Sequence, residues 1–335
     1  MAKESRRGLM GFHPRRLNEH ELTKETMMTT TAHTHRGRAI AGTALAASAL
    51  TLSACFPEQP APQVPSPTTT STTTTAGNTN VETITAAKLD LRLNAETDMI
   101  SHSGEANYWS AGISDSTAGT YTATNGNATV YRKVNGVDTP VGTGGATWAN
   151  KKVSENGTTA TIGNKLRFGY HTVFTGGTGS RNTTTGAATV QWTGTFSVTY
   201  YGNVPFWLKD PKLTVAPGGS ATLTAQAQGA VGDRGTEGTT GQITPWTNVT
   251  LAEFNVDTTQ SSFVAQPKYV GVVAPTGLEA PQSDPAFTNP LHFGSYPASW
   301  VHFQDQVGLG AFWYSTGSTS DRYKLPDTFT VNYNG

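Results

Sequence analysis

Apolar and polar residues alternate along most of the chain between Ile84 and Gly335. In one run the apolar members that share a face are Val190, Trp192, Phe196, Val198 and Tyr200. A period of two is typical of strands with one buried face, and such faces must pack against each other. We therefore predict an all-β fold, an antiparallel β-sandwich-like domain with long loops and no helix longer than two turns.

Glycine and proline mark the breaks between the predicted strands. Asn125-Gly126, Asn135-Gly136 and Asn156-Gly157 are turn dipeptides because both residue types tolerate positive φ. The glycine-rich segment 176–179 resembles a phosphate-binding loop, but no predicted helix follows it, so we interpret it as a hairpin turn. Residues 236–247 and 267–297 are the predicted long loops.

The N-terminal segment carries the features of a bacterial lipoprotein signal. Residues 39–52 are apolar and uncharged, Arg36 and Arg38 precede them, and 14 residues are too few to span a bilayer. Leu52-Ser53-Ala54-Cys55 then resembles a lipobox, and Cys55 is the only cysteine of the chain. We predict a signal peptide over residues 1–54, whose true start is Met27 or Met28, and lipidation of Cys55.

Residues 55–83 form a predicted tether between the lipid and the β domain of residues 84–335. The tether begins with a proline-rich stretch and continues with a threonine run, neither of which can bury a core. Signal and tether are therefore expected to be disordered. The expected location is the outer face of the cell membrane or the cell envelope, with the lipid bilayer as a partner.

The charge balance argues against nucleic acid as a partner. Residues 1–54 hold eight of the 23 Lys and Arg but only four of the 23 Asp and Glu, so the remainder has a net charge of −4. Such a remainder lacks the positive surface that neutralises phosphates. The chain also lacks the sequence motifs of serine hydrolases and zinc proteases, and we predict that it is not an enzyme.

Several segments resemble the HtaA domain of actinobacterial envelope proteins. The segments that carry the resemblance are residues 177–180, 185–198, 209–215, 310–317 and 327–331. The match is clearest over residues 165–335 and looser over 85–164. The resemblance implies a β-rich surface domain that captures haem and passes it to haem-relay proteins.

In that family a tyrosine of the first strand ligates the haem iron and a histidine supports it. Residues 88–100 contain no tyrosine here, and the histidine position falls on Tyr200 or Tyr201. The C-terminal aromatic pair of the family corresponds to Trp313 and Tyr314. The resemblance thus implies haem as a candidate ligand, with Tyr201, Tyr200, Tyr314 and His171 as candidate binding residues.

A second hypothesis is a non-enzymatic structural or adhesive protein of the cell envelope without a small-molecule ligand. The tether, the low charge and the Thr- and Asn-rich strands favour it. If the partner is a glycan, an exposed indole could stack on sugar rings, and the candidates are Trp109, Trp148, Trp246 and Trp300.

Overall fold

The computed structural model describes residues 80–231 and 241–335, all within the unit Thr72–Gly335. The predicted signal peptide, Cys55 and all but the last residues of the predicted tether lie outside the described residues. The first strand begins at Val81, three residues before the domain boundary expected from the sequence.

The described residues form one antiparallel sheet of 13 strands, as the alternation predicted. The strands are β1 (Val81–Leu91), β2 (Tyr108–Ala111), β3 (Thr124–Asn125), β4 (Ala128–Val134), β5 (Val137–Pro140), β6 (His171–Asn182), β7 (Ala188–Gln191), β8 (Thr195–Tyr200), β9 (Val204–Val215), β10 (Ser220–Gly229), β11 (Thr247–Asn255), β12 (Ser262–Ala265) and β13 (Phe329–Asn332). Within residues 80–231 and 241–335, one α-helix, α1, spans Ala298–Gln306, and short 3-10 helices lie at Ala95–Asp98, Ala118–Thr120, Trp148–Asn150, Pro285–Phe287, Gly310–Phe312 and Asp321–Tyr323.

The main path of the sheet runs β11-β10-β9-β7-β6-β1-β13-β12, and residues near its two ends contact each other. Phe254 of β11 packs edge-on against Phe329 of β13, with ring centroids 5.2 Å apart. The backbone N–H of Lys268, just after β12, donates to Glu253 of β11. The sheet therefore faces itself across its apolar core, as in a sandwich.

The sheet branches where β9 changes its partner. Up to Lys209, β9 pairs with β8, and from Lys212 onward it pairs with β7. The two residues between, Asp210 and Pro211, form a bulge, and Asp210 has a φ of 54°. Strand β8 continues the branch by pairing with β2.

The helix α1 closes one end of the core. Trp300 is fully buried and packs edge-on against Trp313 and Phe206, at centroid distances of 4.8 and 5.4 Å. With nine residues, α1 is longer than the two turns that we expected as a maximum. With so few turns, α1 has too few apolar residues for a helical period to be recognised in the sequence. Tertiary packing of a few large side chains stabilises it.

The glycine-rich segment 176–179 is not a hairpin turn, because it lies inside β6. A Cβ at Gly177 would overlap the indole of Trp192, and one at Gly179 would overlap the backbone of β7. Glycine is therefore needed there for close packing and not for a chain reversal. The turns at Asn135-Gly136 and Asn156-Gly157 are confirmed, and both glycines have positive φ.

Candidate functional site

The structure places Tyr200 inside the domain and Tyr201 at its margin. Tyr200 is fully buried, and its ring lies 4.9 Å from that of Phe312. Burial raises the pKa of Tyr200 well above its ordinary value of about 10. Tyr201 is half-buried, lies 5.9 Å from the Phe312 ring, and donates its backbone N–H to Oδ1 of Asn107.

The other two predicted ligands have different surroundings. The hydroxyl of Tyr314 donates to the carbonyl of Ala280 at 2.6 Å, and burial raises its pKa to about 12. His171 is buried between two carboxylates: Nδ1 lies 2.6 Å from Asp90, and Nε2 lies 3.4 Å from Asp138. The polar contacts of Tyr314 and His171 are thus made with residues other than Tyr200 and Tyr201.

A polar cleft lies on the outer face of the sheet, where the sheet branches. Its volume is about 310 Å³. We call it the branch-point cleft, and its lining residues are Gln191, Thr193, Asp210, Lys212, Thr224, Ala225, Gln226 and Asn248. They come from β9, β10 and β11, and from β7 and the link after it. The cleft therefore crosses neighbouring strands and does not run along one of them.

Hydrogen bonds hold the bulge that shapes this cleft. The side-chain amide of Gln191 donates to the carbonyls of Asp210 and Pro211, at 2.8 and 3.1 Å. Oδ1 of Asp210 accepts the backbone N–H of Gly194, and Asp210 in turn donates its own N–H to the Gly194 carbonyl, both at 3.0 Å. Because these bonds join both branches to β9, the cleft is preformed.

The cleft presents unused hydrogen-bonding groups. Within the described residues, the side-chain amides of Gln226 and Asn248 make no hydrogen bond, and Asp210 keeps its second carboxylate oxygen unbonded. Trp246 lies two residues before Asn248 and is half-buried. Its ring holds the ammonium of Lys209 4.2 Å from its centroid.

Amides, hydroxyls and an adjacent aromatic ring are the groups that bind a polyhydroxylated ligand. Amides and hydroxyls both donate and accept hydrogen bonds, as sugar hydroxyls do. The cleft contains a single carboxylate, whereas glycosidic cleavage generally uses two. The arrangement is suited to binding a polar ligand.

A second cleft lies in the proline-rich segment 267–297, which the sequence predicted to be a long loop. It measures about 580 Å³, and its apolar lining includes Val273, Leu278 and Phe293. Its lining contains no Tyr, His, Met or Cys that could ligate haem iron. None of the four candidate haem residues lines this cleft or the branch-point cleft.

No family model, curated protein or solved structure matches this chain. The resemblance to the HtaA domain thus stays a prediction. In the described part of the chain, no group of His, Cys, Asp and Glu is arranged to hold a metal ion. The same residues include no helix with the length and apolarity needed to cross a membrane.

Of the four tryptophans named as glycan candidates, the fold leaves two accessible. Trp109 and Trp300 are buried in the core. Trp148 and Trp246 are half-buried, and each holds a lysine ammonium over its ring. The sequence did not lead us to predict the branch-point cleft. The available signal was Pro211, because a proline within a strand pattern indicates a bulge, and this bulge shapes the cleft.

Proposed function

We propose that the protein is a non-enzymatic, adhesive lipoprotein of the cell envelope whose β domain binds a glycan in the branch-point cleft. The preformed polar cleft beside Trp246 is the observation that carries this proposal. The lipobox at Cys55 and the tether support the envelope location. They would hold the domain outside the membrane, where wall glycans are the abundant polymers.

Replacing Trp246 with Ala is expected to weaken adhesion to purified bacterial wall glycan by about tenfold, roughly 1.4 kcal/mol. The reason is the loss of an accessible aromatic ring beside the cleft. Gln226→Ala should weaken adhesion too, because its amide has no other partner within the described residues. The measurement is co-sedimentation of the soluble domain with insoluble glycan across a range of protein concentrations.

Phe287→Ala is the matched control, since Phe287 is an aromatic residue that is 85% exposed and does not line the cleft. If Phe287→Ala weakens adhesion as much as Trp246→Ala does, general hydrophobic adsorption explains the binding. Absence of adhesion by the wild-type domain would contradict the proposed function outright.

Haem binding is the second candidate, and Tyr201 is the residue that supports it. Tyr201 has a φ of 55°, which is rare for a bulky side chain and is often found at functional sites. It is also more exposed than Tyr200 and Tyr314, whose buried hydroxyls resist ionisation. A phenol must ionise to hold iron well, so Tyr201 is the better ligand.

If haem binds here, Tyr201→Phe should abolish the Soret shift that hemin gives with the wild-type domain. Tyr200→Phe should leave that shift unchanged, because the Tyr200 hydroxyl is buried. The measurement is an absorbance titration with hemin. A wild-type domain without a Soret shift, or a Tyr201→Phe variant that keeps it, would exclude this route of haem binding.

A further inference from the structure

A row of hydroxyl groups crosses five adjacent strands on the outer face of the sheet. The strand registers pair Thr83 with Ser180, Ser180 with Thr189, Thr189 with Thr214, and Thr214 with Thr222. We call these five residues the hydroxyl row. They lie on β1, β6, β7, β9 and β10, so the row follows the order of the sheet.

The hydroxyls of this row are available to a ligand. Four of the five residues are exposed, and Thr222 is half-buried. Their side chains make no hydrogen bond within residues 80–231 and 241–335. Threonine is common in strands, but a transverse row requires five separate strands to be in register. The row therefore offers one unused donor and acceptor at every strand.

The hydroxyl row borders the branch-point cleft. Gln191, Lys212 and Thr224 of the cleft each lie two residues along their strand from a member of the row, which is about 7 Å. The cleft reaches from β7 to β11, and the row continues past it over β6 and β1. Cleft and row together form one continuous polar track.

The track runs across the strands, and its spacing suits a linear polymer. Neighbouring strands lie about 4.8 Å apart, so the four steps of the row cover about 19 Å. An extended chain of β-1,4-linked pyranose rings advances by nearly one strand spacing per ring. Each strand of the track can therefore offer a hydroxyl to a successive sugar.

The charge of the track favours an uncharged polymer. The row from Thr83 to Thr222 contains no charged side chain, and the first charge in register beyond it is Glu253. The cleft contributes one carboxylate, Asp210, and one ammonium, Lys212, whose charges are opposite. A polyanion would find no counter-charge along the row. The unused carboxamides of Gln226 and Asn248 in the cleft match an N-acetyl group, which carries both an amide N–H and a carbonyl.

We propose that the hydroxyl row extends the cleft into a binding track for a linear, uncharged, N-acetylated glycan that lies across the strands. This inference rests on the proposed function and names its substrate class. It assigns Thr83, Ser180 and Thr189 as binding residues outside the cleft.

The test compares the trisaccharide and the hexasaccharide of β-1,4-linked N-acetylglucosamine by calorimetry on the soluble domain. We expect the hexasaccharide to bind roughly tenfold more tightly, because only it reaches from the cleft to β6 and β1. The triple variant Thr83→Val, Ser180→Ala, Thr189→Val should reduce hexasaccharide affinity to that of the trisaccharide and leave trisaccharide affinity unchanged. Trp246→Ala should weaken both.

Thr330→Val is the matched control, since Thr330 is an exposed strand threonine outside the row. Thermal unfolding of each variant checks that the substitutions, which in the triple variant and the control are all at exposed positions, leave the fold intact. Equal affinity of the wild-type domain for the two oligosaccharides would contradict the proposed track. So would a triple variant that still binds the hexasaccharide more tightly than the trisaccharide.

The failure of the track and the failure of the proposed function give different results. If the wild-type domain adheres to wall glycan but binds neither oligosaccharide, the substrate class is wrong and the proposed function stands. If it does not adhere to wall glycan at all, both are wrong.

Discussion

Replacing Asp321 with Ala should lower the free energy of unfolding by about 3–5 kcal/mol. Asp321 and Lys324 form an ion pair at 2.8 Å, with side chains only 3% and 4% exposed. The Lys324 ammonium also donates to the carbonyl of Tyr314 and the hydroxyl of Thr316, at 3.0 and 2.8 Å. Without the carboxylate, an ammonium stays buried without its counter-charge, and two loop N–H groups lose their acceptor.

Equilibrium unfolding in urea measures this loss, and Glu105→Ala is its control. Glu105 pairs with Lys152 at 3.0 Å, but those side chains are 47% and 39% exposed, so the control should cost less than about 1 kcal/mol. Replacing both partners, Asp321→Asn with Lys324→Met, should recover part of the stability because neither member of this ion pair is then left without the other. Equal effects of Asp321→Ala and Glu105→Ala would show that the buried pair is not structurally important.

The stability of the domain should also depend on pH through Asp98. Asp98 is buried, and desolvation raises its pKa to about 6 even though Arg167 lies 2.9 Å away and favours the carboxylate. Arg167 is shared with Asp327, and Asp98 additionally accepts the backbone N–H of Tyr170 at 2.9 Å. The folded state therefore keeps the Asp98 proton at pH values where the unfolded chain has released it.

A raised carboxyl pKa contributes stability at low pH that is lost as pH rises through the folded pKa. The free energy of unfolding of the wild-type domain, relative to Asp98→Asn, should fall by about 2–3 kcal/mol between pH 4 and pH 7. Denaturant unfolding at several pH values measures this difference, in which titrations common to both proteins cancel. A difference that rises with pH would show that Arg167 outweighs the desolvation of Asp98.

Asp257 is the control of opposite sign. It is fully exposed, and hydrogen bonds from Thr259 lower its pKa. Its contribution to the free energy of unfolding should be present above the ordinary pKa of an aspartate and lost as pH falls. Asp257→Asn should therefore change the pH profile in the direction opposite to Asp98→Asn.

The alternation of residues identified one buried face, but Ser197 and Thr199, which it assigned to the opposite face, are buried as well. Trp192, Phe196 and Tyr200 were predicted to face inward, and all three are buried, because the side-chain period of a strand is independent of its neighbours. The sequence also located the turns at Asn135 and Asn156. The class of fold follows from these local properties alone.

Only the tertiary structure decided which strands are neighbours and in what register. The branch at Asp210, the cleft beside it and the row from Thr83 to Thr222 all depend on pairings between residues far apart in the chain. Likewise, the packing of α1 buries Trp300 while Trp246 stays accessible. A period of two assigns a residue to a face, but it carries no information about the residue that will lie opposite it across the sheet.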